Sequence, residues 1–137
     1  MATLFVYYSY TGNTKKLAED LAAKASGAIL EIKDVQRPGV LKAYTLGCYA
    51  AIKGKAWPIA LPDADLDAHD SYVLLAPVWA GNPPPAVFAF LERIPEGKAV
   101  TVKMISASGK SGCKDRLAGI LQARGCSLED FEDVKIR

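Results

Sequence analysis

Short apolar runs alternate with helical patterns along nearly the whole chain, and this alternation does most to narrow the possible folds. Residues 72–76, Tyr-Val-Leu-Leu-Ala, are apolar without a break, as a strand must be when helices cover both faces of its sheet. Residues 4–8 read as a first strand, 28–33 alternate as a second, 99–105 as a fourth, and 131–136 as a last. Between them, Leu17, Leu21 and Ala25 fall on one face of a first helix. Val40, Tyr44, Cys48 and Ile52 recur every four residues and predict a second helix ending near Gly54, with Arg37-Pro38-Gly39 as punctuation before it. Residues 54–70 read as a long irregular loop. Val87, Phe90, Leu91 and Ile94 predict a third helix, entered through Pro83, Pro84 and Pro85. Leu117, Ile120 and Leu121 mark a fourth, ending at Gly125. Five strands alternating with four helices predict one α/β domain over residues 1–137, built on a parallel sheet.

The first strand stops at Ser9-Tyr10-Thr11-Gly12-Asn13-Thr14 and a helical pattern begins at once. A helix N-terminus there aims unpaired N–H groups and a partial positive charge at the loop, which makes an anion site. Ser9, Thr11 and Thr14 add hydroxyls, and Gly12 lets the backbone come close to a phosphate. No lysine or arginine lies in the loop, so neutral dipoles would carry the binding. The competing reading is a plain strand-to-helix linker.

The third apolar strand leads into a second loop, Pro77-Val78-Trp79-Ala80-Gly81-Asn82. Its Pro and Gly residues predict that Trp79 stands at an exposed loop tip and offers a flat apolar face; the alternative is a core tryptophan. Asn82 before Pro83 also reads as a helix N-cap. After the fourth strand comes a polar turn, Ser106-Ala107-Ser108-Gly109-Lys110-Ser111-Gly112, with no aromatic residue. Gly109-Lys110-Ser111 is not a nucleotide-triphosphatase loop, because the glycine required five residues earlier is replaced by Met104. Cys113, at the start of the following helix, invites a lowered thiol pKa, but a small core filler is the commoner role.

Composition excludes several classes. No window approaches the roughly 18 apolar residues of a membrane span, and the N-terminus lacks a secretory pattern. Cys48, Cys113 and Cys126 form no CxxC pair and His69 stands alone, so neither a zinc site nor a disulfide framework is expected, and a cytoplasmic setting fits. The net charge is +2, with basic residues scattered rather than banded, so nucleic acid is not indicated.

The order Ser-x-Thr-Gly-Asn-Thr after a first strand, together with residues 76–87 and Phe90-Leu91, resembles the flavodoxin family over nearly the whole chain. The resemblance implies a flavodoxin-like, doubly wound, five-stranded sheet of order 2-1-3-4-5 that binds FMN. It implies that Ser9, Tyr10, Thr11, Gly12, Asn13 and Thr14 hold the phosphate. Pro77, Val78, Trp79, Ala80, Gly81 and Asn82 would flank the ring, with the Gly81 peptide able to turn toward the flavin N5. Ser106, Ala107, Ser108, Gly109 and Gly112 would reach the pyrimidine edge, where Lys110 would favour the reduced anion. Flavodoxins commonly stack a tyrosine in that third loop; here the outer ring face would be open, or covered by Trp57, Tyr10 or a partner subunit. The function implied is electron transfer with redox proteins or small-molecule donors and acceptors. The alternative is an FMN-dependent NAD(P)H:quinone-type oxidoreductase, favoured by the bare third loop and a surface lacking the usual strong acidity. The family's closing fifth helix is missing from the pattern, which predicts an apolar sheet face covered by a homodimer partner or by chain beyond this sequence.

Overall fold

β1 (Thr3–Tyr7) leads into α1 (Asn13–Ala25) and β2 (Ala28–Glu31), and the chain then makes a short β3 (Lys33–Asp34). A π-turn at Ala43–Gly47 runs into α2 (Cys48–Lys53), followed by β4 (Ile59–Ala60). β5 (Ser71–Pro77), α3 (Pro85–Leu91), β6 (Ala99–Ser106), α4 (Lys114–Ala123) and β7 (Ser127–Lys135) complete the order. The computed structural model describes residues 3–10, 12–34, 39, 43–61 and 66–135. Thr11, Arg37, Pro38, Val40 and Ile136, named above, lie outside the described residues.

Five strands form one parallel sheet of order β2-β1-β5-β6-β7, the expected 2-1-3-4-5. The larger core lies on one face, where Val6, Leu74, Val102 and Met104 meet Phe90, Leu91, Leu117 and Leu121. On the other face Phe5, Tyr7, Leu75 and Ile105 are buried with Ala18 and Ala22 of α1. That face is less apolar than expected. Thr3 and Ser71 share a hydroxyl hydrogen bond of 2.9 Å, and Lys103 pairs with Glu132 at 2.6 Å.

Several elements differ from the sequence reading. α1 buries Thr14, Ala18 and Ala22, while Leu17 and Leu21 are only partly buried and Ala25 is exposed. Alanines take the inner face, where the large Phe5 and Tyr7 side chains of β1 fill the space beneath them. The stripe expected on α2 is also displaced: Gly47 and Ala51 are buried, whereas Ile52 is half exposed. The long loop is not wholly irregular, since Lys33–Asp34 and Ile59–Ala60 pair as an antiparallel ribbon. β7 begins at Ser127, earlier than expected, because a bulge between the Val100↔Leu128 and Thr101↔Asp130 pairs breaks its period.

Tyr7 sits directly opposite Glu31 in the β1–β2 register. Burial, reinforced by the Glu31 carboxylate, pushes its hydroxyl from 10 up to about 12. The folded state therefore disfavours ionisation, so this contribution is intact below pH 10 and is lost as pH rises toward 12. We expect an alkaline loss on the order of 1–3 kcal/mol that is shallower in Tyr7→Phe, measured by urea unfolding across that range.

Candidate functional site

The loops after β1, β5 and β6 leave neighbouring carboxyl ends of the sheet, where ligand crevices form in this topology. The first two meet at Tyr10 and Trp79, whose ring centroids are 5.7 Å apart. The second and third meet where a Cβ on Gly81 would lie 3.1 Å from the Ser111 carbonyl oxygen. The three segments singled out from the sequence are thus neighbours at the carboxyl end of the sheet.

In the loop after β1, Gly12 takes φ +101°, a left-handed conformation that favours glycine. Its N–H donates to Ser9 Oγ at 3.0 Å, and its carbonyl accepts from the Lys16 N–H at 3.1 Å. Among the described residues no side-chain cap closes α1 at Gly12, and its first turn holds no acidic residue to neutralise its positive end. A Cβ at Gly12 would meet nothing within 4 Å, which leaves open space over the loop. Asn13 is exposed and Thr14 is buried. A cleft of about 240 Å³ lined by Tyr8, Ser9, Glu31, Ile32, Lys33 and Asp34 adjoins the loop.

The second loop corrects two expectations. Trp79 is not at an exposed tip: its residue is 9% exposed, and Tyr8, Tyr10 and Trp57 pack edge-on around the indole at 6.0, 5.7 and 6.1 Å. The reason is local. Trp79 and Asn82 exchange backbone hydrogen bonds of 2.7 and 3.0 Å, closing a tight turn whose central residues Ala80 (φ +52°) and Gly81 (φ +80°) are both left-handed. The tip of the turn is Ala80-Gly81, and Trp79 is its inner leg. Nor is Asn82 the helix cap, because α3 starts at Pro85 behind Pro84. Asn82 Nδ2 instead donates to the Ala80 carbonyl at 3.1 Å, and its Oδ1 accepts from Arg116 Nη1 at 3.2 Å.

In the third loop Ser106 Oγ accepts the Gly109 N–H at 2.9 Å, and Gly109 and Gly112 both turn at φ +73°. Ala107, Ser108 and Lys110 are exposed, while Pro77 and Val78 at the end of β5 are partly buried. Cys113 is buried, and that burial raises its thiol despite the hydrogen bond to Ser111, so the helix start does not activate it. His69 is half-buried, and its Nδ1 is buried with no hydrogen-bond partner among the described residues. Among the described residues no group of three His, Cys, Asp or Glu could hold a metal, and no helix is long and apolar enough to cross a membrane.

Sequence reasoning missed Tyr8, Asp34 and Gly47. Asp34 accepts from Tyr8 OH at 2.5 Å and from Trp57 Nε1 at 2.9 Å, so the β3–β4 ribbon braces the aromatic cluster. No local pattern marks a carboxylate for that role. Gly47 lies against the same cluster: a Cβ there would fall 2.6 Å from Trp79 Cζ3 and 3.2 Å from Trp57 Cη2. Gly47→Ala is expected to cost about 1–3 kcal/mol in urea unfolding. An unchanged midpoint would mean that the cluster is not packed this way.

No family model and no curated protein matches the sequence. Solved structures do. A flavoprotein from Lactobacillus acidophilus NCFM in complex with FMN is 24% identical, covers 95% of this chain and 91% of its own, and gives a TM-score of 0.78. The apo-form of the flavoprotein from that organism is 23% identical over 96% of this chain and 92% of that one, with a TM-score of 0.70. Oxidised flavodoxin 1 from Bacillus cereus is 19% identical over 100% and 87%, with a TM-score of 0.57. At these identities the likeness is one of architecture, and together with the strand order it establishes that this chain has the flavodoxin-like fold.

Proposed function

We propose that the protein binds FMN in the crevice between the ends of β1 and β5 and serves as an electron-transfer protein. The observation that carries this reading is the uncapped, acid-free N-terminus of α1 over Gly12, with open space in front of it. The FMN bound to the Lactobacillus acidophilus neighbour supports the choice of ligand. FMN, when bound, supplies transfer of one or two electrons. The chain does the rest. Main-chain N–H groups at the start of α1, with Ser9 and Asn13, hold the phosphate by neutral dipoles. Tyr10, Trp57 and Trp79 form an apolar wall that limits water. The Ala80-Gly81 turn presents main-chain polar groups at the crevice, and Ala80 is held at a positive φ that non-glycine residues seldom adopt.

A second reading, an FMN-dependent reductase taking electrons from NADH or NADPH, draws on one observation: the third loop exposes Ala107, Ser108 and Lys110 and carries no ring to cover the flavin. Titration with FMN followed by photoreduction separates the readings. Two resolved one-electron steps support the carrier. A single two-electron step with steady-state NADPH oxidation by a quinone supports the reductase, and no spectral perturbation on adding FMN removes both. The expected homodimer through the α1 face remains a proposal, tested by light scattering; a constant monomer mass across concentrations would exclude it.

A further inference from the structure

Among the described residues, four large apolar side chains are notably exposed, and three of them, Leu46, Tyr49 and Ile52, share one arc of the π-turn and α2 at 58%, 54% and 50% exposure. The inner side of the same helix is the Gly47 face that meets Trp79. Lys53 and Lys55 flank the arc, each with its ammonium 5.9 Å from the centroid of the Tyr49 ring. The near-neutral net charge hides a division: residues 35–62 hold Arg37, Lys42, Lys53 and Lys55 and no Asp or Glu, so the remainder of the chain is net acidic.

From this we infer that the Leu46–Tyr49–Ile52 arc is a docking surface for an acidic redox protein, an inference that rests on the electron-transfer reading for the partner's class. An apolar centre with a cationic rim fits a partner that offers carboxylates around a small apolar contact. Its place matters as well. A molecule seated there is separated from the Trp79 cluster by the thickness of one helix. Three half-exposed side chains provide the shallow contact of a transient redox encounter, whereas stable membrane anchoring takes stronger insertion.

The test is a titration of isotope-labelled, FMN-loaded protein with an acidic plant-type ferredoxin, followed by NMR, with basic cytochrome c as the charge-reversed control. We expect perturbations centred on residues 46, 49, 52, 53 and 55. Affinity should fall at least about tenfold in Lys53→Glu/Lys55→Glu, and similarly when salt rises from ~50 to ~300 mM. Leu46→Ser/Ile52→Ser, exposed positions expected to leave the fold intact, should weaken binding without changing the salt slope. Perturbations elsewhere, equal binding of cytochrome c, or no binding of ferredoxin would overturn the inference. Binding of the same residues to phosphatidylserine vesicles but not to ferredoxin would replace the protein partner by a membrane. Repeating the titration without FMN keeps the two questions apart: docking with no FMN affinity sinks the cofactor reading alone, and FMN affinity with no docking sinks this inference alone.

Discussion

Asn13→Asp should make the free protein slightly more stable and at the same time cost it most of its affinity for FMN. Asn13 is the first residue of α1 and is exposed, and no acid lies in that first turn. A carboxylate placed there complements the helix dipole and is worth about 0.3–1 kcal/mol, seen as a higher melting temperature without ligand. A phosphate held by the same N-terminus would meet that carboxylate at about 5 Å. With an effective dielectric near 20, each pair of unit charges then costs about 3 kcal/mol, roughly a hundredfold in dissociation constant. The opposite signs are the strength of the test. A damaged fold lowers both quantities, whereas an occupied anion site raises one and lowers the other. FMN affinity equal to that of the parent would show that the phosphate is bound elsewhere.

Trp79→Ala is expected to destabilise the ligand-free protein by about 3–5 kcal/mol, the range for removing a large aromatic side chain from a packed core. The indole is buried among three aromatic rings, and two of their polar groups, Tyr8 OH and Trp57 Nε1, are tied to Asp34. A tryptophan serving only as an exposed stacking platform would cost little stability and much FMN affinity. Urea unfolding of the ligand-free variant decides between these, and a loss below about 1 kcal/mol would place the indole outside the core. The same cluster bears on cofactor entry. Because Trp79 is buried among Tyr8, Tyr10, Trp57 and Gly47, any stacking of a flavin on the indole has to displace a neighbour, and flavin quenching should follow that rearrangement in stopped-flow mixing.

The two predictions sit on opposite sides of what a linear reading can reach. The loop after β1 was legible because it is local: the left-handed Gly12 and the start of α1 at Asn13 are both set by neighbouring residues. The sheet was legible too, since its central strand β5 is an unbroken apolar run and parallel order follows from the helices between strands. The ring end was not. Trp79 was read from its Pro and Gly neighbours as a loop tip, yet the hydrogen-bonded turn through Ala80 and Gly81 makes it an inner leg. Asp34 and Trp57 lie 23 residues apart and meet through a two-stranded ribbon too short to show a pattern.

The α2 segment marks the boundary most clearly. Its every-fourth-residue stripe predicts a helix, but the structure buries Gly47 and Ala51 and leaves Leu46, Tyr49 and Ile52 exposed. Periodicity reports that a helix has two faces; which one is buried depends on the shape it packs against. Here that shape is the Trp79–Trp57 pair, against which only a glycine fits at position 47, and the bulky residues stay outside. The sequence by itself determined the alternating architecture, the parallel sheet and the helix start after Gly12, because each arises from interactions within a few residues. Only the tertiary structure decided which aromatic groups wall the crevice and which apolar face stays open, because those depend on side chains brought together from distant strands.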